Sequence, residues 1–142
     1  MKRMIIGLTV LLAGLFWTSA ASGQDIRNLQ AMMIMAQHEM APMDRRLERV
    51  EYKLRRVFQF PYYRYVGEGS IALMPGAEGT IRLPDDHELK VKAGGKGRLE
   101  VRWTQRQKPL LSTSVSVSRN APIVLGGVPE GEGRLILVLT EP

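Results

Sequence analysis

The chain has 142 residues, no cysteine, two histidines and a formal net charge of +6. This length holds one domain, and the missing cysteines exclude disulfides, zinc–cysteine sites, iron–sulfur clusters and thiol nucleophiles. His38 and His87 supply too little imidazole for histidine-based catalysis or a multi-histidine metal site, and the dispersed positive charge lacks the dense stripe of a nucleic-acid binder.

Lys2 and Arg3 precede a charge-free apolar run over 4–17 (MIIGLTVLLAGLFW), which the small, polar stretch TSAASGQ follows. This is the three-part pattern of a secretory signal peptide, read as residues 1–23 with cleavage after Gly23. The run is shorter than the ~20 residues that cross a bilayer comfortably. An uncleaved anchor is the alternative, but no cysteine follows the run to carry a lipid. Loss of this segment leaves 119 residues with 18 Lys and Arg against 14 Asp and Glu. The expectation is an exported protein, periplasmic or extracellular and envelope-associated, that needs no cofactor.

From Ile26 onward apolar residues fall at Ile26, Leu29, Met33, Ala36, Met40, Met43, Leu47, Val50, Leu54 and Val57. Alternating steps of three and four are a heptad pattern and predict an amphipathic helix over 24–58. Asp25 is placed to cap it, and Glu51 with Arg55 forms a favourable pair four residues apart. Pro42 kinks this helix or splits it into 25–41 and 43–58. Unbroken, a helix of this length extends ~51 Å, well beyond a body ~30 Å across, and its stripe then needs a partner helix. Split, its halves fold back on the protein's own sheet. Met32, Met33, Met35, Met40 and Met43 surround His38, so Met35, His38, Met40 and Met43 form a candidate copper(I) set; packing is the ordinary use of methionine in such a stripe.

After Phe58 the helical period stops. Strand candidates follow at 62–66, 69–74, 79–83, 87–93, 98–105, 111–118, 122–126 and 134–140. Between them stand turn signals: Pro75-Gly76, Pro84-Asp85-Asp86, Gly94-Gly95, Lys108-Pro109, Arg119-Asn120 and the glycine-rich 126–133. The spacing leaves no room for crossover helices, so consecutive strands are expected to pair as antiparallel hairpins. Leu89, Val91 and Ala93 share one face, as do Leu99, Val101 and Trp103, with charged residues between them. Leu135 to Leu139 is apolar on both faces, which marks a central strand. The fold class expected is α+β: the heptad helix, then an antiparallel β-sandwich or partly open barrel over 59–142.

Residues 113–127 read TSVSVSRNAPIVLGG and lead through a glycine-rich turn to RLILVLTEP. This segment, 113–140, resembles the C-terminal hairpin region of bacterial secretins. Val115 and Val117 match the alternating valines, Arg119-Asn120 the tight turn, Ile123 to Leu125 the apolar strand, and Gly126-Gly127 the paired glycines. The rest of a secretin has no counterpart here, so the resemblance implies an envelope setting and not a pore. More loosely, LRRVFQFPYYRYV (54–66) is similar to small exported bacterial domains.

The cluster Asp85, Asp86, His87 and Glu88 reads as a hairpin turn, and the glycines of 126–133 lack the Gly-Lys-Ser/Thr of a phosphate loop. The serines of 112–118 have no base partner. Arg55, Arg56, Tyr63 and Arg64 are candidate contacts for an anionic lipid surface or glycan, with aromatic packing as the alternative. No catalytic residue is assigned. The role expected is a non-catalytic binding or assembly module of the bacterial cell envelope, accessory to a secretion-type complex. It self-associates or docks on an envelope protein through Ile26, Leu29, Met33, Met40, Met43, Leu47, Val50, Leu54 and Val57. The second reading is a periplasmic ligand-binding protein for copper(I) or an envelope glycan.

Overall fold

The computed structural model describes residues 26–142; the expected signal segment 1–23 and its cleavage point lie outside the described residues. In chain order the elements are β1 (Arg27–Gln37), α1 (Glu48–Val57), β2 (Tyr62–Leu73), β3 (Glu78–Arg82), β4 (His87–Ala93), β5 (Arg98–Gln105), β6 (Lys108–Ser116), β7 (Ile123–Glu130) and β8 (Gly133–Thr140). They make two four-stranded sheets, ordered β2-β1-β8-β7 and β3-β4-β5-β6, with every neighbouring pair antiparallel.

The first half of the expected helix is a strand. Residues 27–37 run through the middle of the first sheet, paired with β2 on one side and β8 on the other. Leu29, Ala31 and Met33 point into the space between the sheets, while Ile34 and Ala36 point to the opposite face, and all five are buried. The segment AMMIMA is apolar without interruption, so any register of threes and fours can be drawn through it. A helix of that composition has no face for water, whereas a strand covered on both faces has none to spare. The partner strand β8 has the same character: Leu135, Leu137 and Leu139 face the second sheet, and Ile136 and Val138 face the helix.

The helix is confined to the second half, a 3-10 turn at Arg45–Leu47 continuing into α1. Asp44 caps it, accepting from the Arg46 backbone N–H at 2.9 Å, and two side-chain bonds from Arg46 hold the Asp44 carboxyl down at a pKa of about 2. Leu47, Val50 and Leu54 are buried against Ile34, Ala36, Ile136 and Val138. The helix therefore lies on its own sheet, and its stripe is covered from within the chain. Beyond its end, Gly127 leaves room for the Phe58 ring, which a Cβ there would meet at 2.8 Å.

The second core fills the space between the sheets, where Leu29, Met33, Leu137 and Leu139 meet Ile81, Leu89, Val91, Leu99, Val101 and Trp103. The strands expected from alternation are present, with four differences. Candidates 62–66 and 69–74 are one strand, β2, whose register shifts at Val66, the residue left unpaired between Tyr65 and Gly67. The turn expected at Lys108-Pro109 sits two residues earlier, at Arg106-Gln107, both at positive φ; Pro109 is tolerated inside β6 because β6 is an edge. Not every consecutive pair forms a hairpin, since β2 and β3, and again β6 and β7, belong to different sheets. The turn at Arg119-Asn120 thus carries the chain between sheets, Asn120 taking φ 58° and donating its N–H to the Glu141 carbonyl at 2.8 Å. The glycine-rich stretch is mostly strand: β7 shifts register between Val124 and Gly127, with Gly126 at φ +100°.

Candidate functional site

The outer face of the second sheet is open, and alternation decides what it presents. With Leu89, Val91, Leu99, Val101 and Trp103 turned inward, Glu88, Lys90 and Lys92 of β4 and Arg98, Glu100 and Arg102 of β5 are turned outward. Pairing then sets their neighbours: Thr80 lies opposite Lys90, Lys90 opposite Arg102, and Arg102 opposite Ser112. One row across all four strands reads threonine, lysine, arginine, serine. The next row reads Glu78, Lys92, Glu100 and Ser114. Seven of these side chains, all but that of Thr80, line an open concavity of about 480 Å³.

Like charges directly opposite in a sheet are unfavourable. Lys90 and Arg102 nevertheless face each other, and neither belongs to any of the ion pairs among the described residues: Arg27–Glu141, Arg46–Asp44, Arg55–Glu51 and Arg106–Asp86. Lys90, Lys92 and Arg102 outnumber the Glu78 and Glu100 carboxylates that line the same concavity, and such a face is suited to a carboxylate, sulfate or phosphate group on a hydroxyl-rich ligand, because guanidinium and ammonium donate to the anion while Ser112 serves its hydroxyls.

The residues singled out in the sequence are distributed differently. Of the expected docking stripe, Leu29 and Met33 are in the inter-sheet core, and Leu47, Val50 and Leu54 are under the helix. Ile26, Met40, Met43 and Val57 remain exposed but in separate places: the start of β1, the 38–44 loop and the outer end of α1. The stripe is therefore no single surface. The copper set is split likewise, since Met35 packs against the inter-sheet core and His38 stacks on Phe60 with ring centroids 5.1 Å apart. Tyr63 is also withdrawn from ligand contact: it is buried, and its hydroxyl donates to the Phe58 carbonyl at 2.6 Å. Arg55 pairs with Glu51 at 2.8 Å, and Arg64 reaches Gln37 from the opposite side of β2. Only Arg56 of that group is both exposed and without a hydrogen-bond partner among the described residues.

His87, expected to open the strand 87–93 just after the Pro84-Asp85-Asp86 turn, is the first residue of β4 and lies inside the sandwich. It is 2 % exposed, and Nδ1 accepts from the Trp103 indole N–H at 3.0 Å, so the neutral ring carries its proton on Nε2. Burial holds this imidazole below its ordinary value, against the opposing pull of the Glu130, Asp85 and Asp86 carboxylates. Asp85 and Asp86 form the turn itself, both at positive φ.

No protein-family model, characterised protein or solved structure matches this chain. The cationic row could not be singled out from sequence because Lys90 and Arg102 are twelve positions apart and each has the look of an ordinary solvated strand residue. Only register brings them together.

Proposed function

We propose that this chain is a non-catalytic binding module of the bacterial cell envelope, and that its ligand is an anionic glycan held on the outer face of the second sheet. The observation that supports this reading is the Lys90–Arg102 pair, cation opposite cation, between Thr80 and Ser112. An anionic ligand neutralises the excess of positive over negative side chains on this face. The open, extended shape of the face suits a polymer lying across the strands better than a small molecule enclosed in a pocket. Export belongs to the same proposal and rests on the 4–17 run; an accessory place in a secretion-type assembly rests on the sequence of the secretin-like segment alone, since the two strands flanking its tight turn, β6 and β7, lie in different sheets and form no hairpin.

Binding of a carboxylated polysaccharide, polygalacturonate, measured by calorimetry against neutral dextran tests the ligand class. The expected result is salt-sensitive binding of polygalacturonate alone, weakened at least tenfold by Lys90→Glu with Arg102→Glu. Equal binding of dextran, or charge reversal without effect, overturns it.

A further inference from the structure

Each sheet has two edge strands, and an edge offers unpaired backbone N–H and C=O groups to any other strand. Three of the four edges here are protected. β3 has five residues, β7 contains a register shift and Pro129, and β2 contains the Val66 shift between the charged Arg64 and Glu68. β6 is different. Its defences, Lys108, Pro109 and the unpaired Leu110, are confined to its first three residues. From Leu111 to Ser116 it has no charge, proline, glycine or irregularity.

We infer that β6 is a self-association edge: two copies of this chain pair antiparallel through β6 about a two-fold axis at Thr113, joining their second sheets into one of eight strands. Pairing must keep core-facing residues on one side, so the axis passes through a residue and not between two. Four centres, Ser112, Thr113, Ser114 and Val115, satisfy this with at least three residues of the bare stretch paired. Centred on Ser112, the row from β5 to β5 sets Arg102 against Arg102 of the second copy across two serines. Centred on Ser114, it sets Glu100 against Glu100. Centred on Thr113, Ser112 meets Ser114 of the second copy, and since Arg102 lies opposite Ser112 and Glu100 opposite Ser114, each row ends in opposite charges. On the inner side the same register sets Leu111 against Val115, apolar against apolar. Centred on Val115, Ser114 meets Ser116 and the row again ends in opposite charges, Glu100 and Arg98, but only three residues of the bare stretch pair, against the five from Leu111 to Val115 when the axis is at Thr113. Arg102 is shared with the proposed glycan site, and the Thr113→Cys cross-link tests the edge without touching that residue.

The absence of cysteine makes cross-linking unambiguous. Residues directly opposite in an antiparallel pair have Cα atoms about 4.5–5.5 Å apart, within reach of a disulfide. Under mild oxidation, Thr113→Cys is expected to give a covalent dimer at least tenfold faster than Ser70→Cys on β2. Ser112→Cys mixed with Ser114→Cys is expected to cross-link faster than either alone. In light scattering against concentration at low ionic strength, Arg102→Glu is expected to weaken the dimer about threefold, and Arg102→Glu with Glu100→Arg to restore it. A chain that stays monomeric at every concentration overturns the inference. So does a dimer in which Ser112→Cys or Ser114→Cys alone outpaces Thr113→Cys, or one indifferent to the charge swap.

Discussion

The two sheets have the same number of strands and the same antiparallel pairing, yet different outer faces. The first is covered on its outer face by Leu47, Val50 and Leu54 of the helical segment, so its central strands β1 and β8 are apolar on both sides. The second is covered on its inner face alone, and its strands alternate apolar with charged residues. The doubly covered sheet contributes side chains to both cores. The singly covered one has a free surface on which composition can serve binding without cost to the core.

The sharpest way to break this comparison is to cut into the first sheet. Leu137→Ala, in the inter-sheet core, and Leu54→Ala, beneath the helix, each empty a site that is 0 % exposed and are expected to cost about 2–5 kcal/mol. Both are expected to lower the midpoint of a single urea transition followed by circular dichroism. A separate early transition for Leu54→Ala would show the helix to be an appendage and not a layer of the core.

Next comes the join between the sheets at one end of the sandwich. Arg27 donates to Glu141 at 2.7 Å and also to the Val117 and Gly97 carbonyls, tying the start of β1 to the chain end and to the second sheet. Both side chains are mostly buried. Arg27→Ala leaves Glu141 unpaired and is expected to lose about 2 kcal/mol in the same assay, with Arg27→Ala combined with Glu141→Gln recovering part of it.

His87 sharpens the comparison through pH. Its folded-state pKa is depressed, so the unfolded chain takes up the proton first and stability falls as pH drops. The effect is absent above the ordinary value of about 6.5 and grows below it until the folded-state pKa is passed, with a slope of at most about 1.4 kcal/mol per pH unit. Urea titrations at successive pH values are expected to show this slope in the wild type, and His87→Phe is expected to remove it.

The smallest effect is on the open face. Lys90→Thr removes one of two opposed cations and is expected to raise stability by a few tenths of a kcal/mol. A loss of more than ~0.5 kcal/mol would mean that Lys90 supports the fold, because free surface positions seldom cost that much.

Legibility in the sequence follows the same division. In the second sheet, strict alternation at Leu89–Val91 and Leu99–Val101–Trp103 is enough by itself to set strand, face and approximate boundaries. Leu135 to Leu139 is equally readable as a buried central strand. The opposite holds in β1, where Ala31 to Ala36 has the same two-sided apolar character but is built of good helix formers, and the heptad drawn through it continues smoothly into a real helix at 45–57. Short apolar runs do not declare their period, and tertiary pairing with β8 overrides local preference. The candidate site is the least legible feature, because a row across strands is a property of register and not of any one segment.

Taken alone, the amino-acid order determined that this is a β-rich body with one amphipathic helix ending near Phe58, where most of its turns lie within a residue or two, the glycine-rich 126–133 excepted, and which residues of the second sheet face water. Those follow from short-range rules, alternation and the turn preferences of Gly, Pro, Asn and Asp; the helix cap does not, since Asp44 serves in place of the expected Asp25. The tertiary structure alone decided that β1 is a strand, that the helix stripe is covered by its own sheet, and that Lys90 meets Arg102. Each of these depends on which distant segment lies alongside, and that choice is made by burying apolar surface across the whole chain at once.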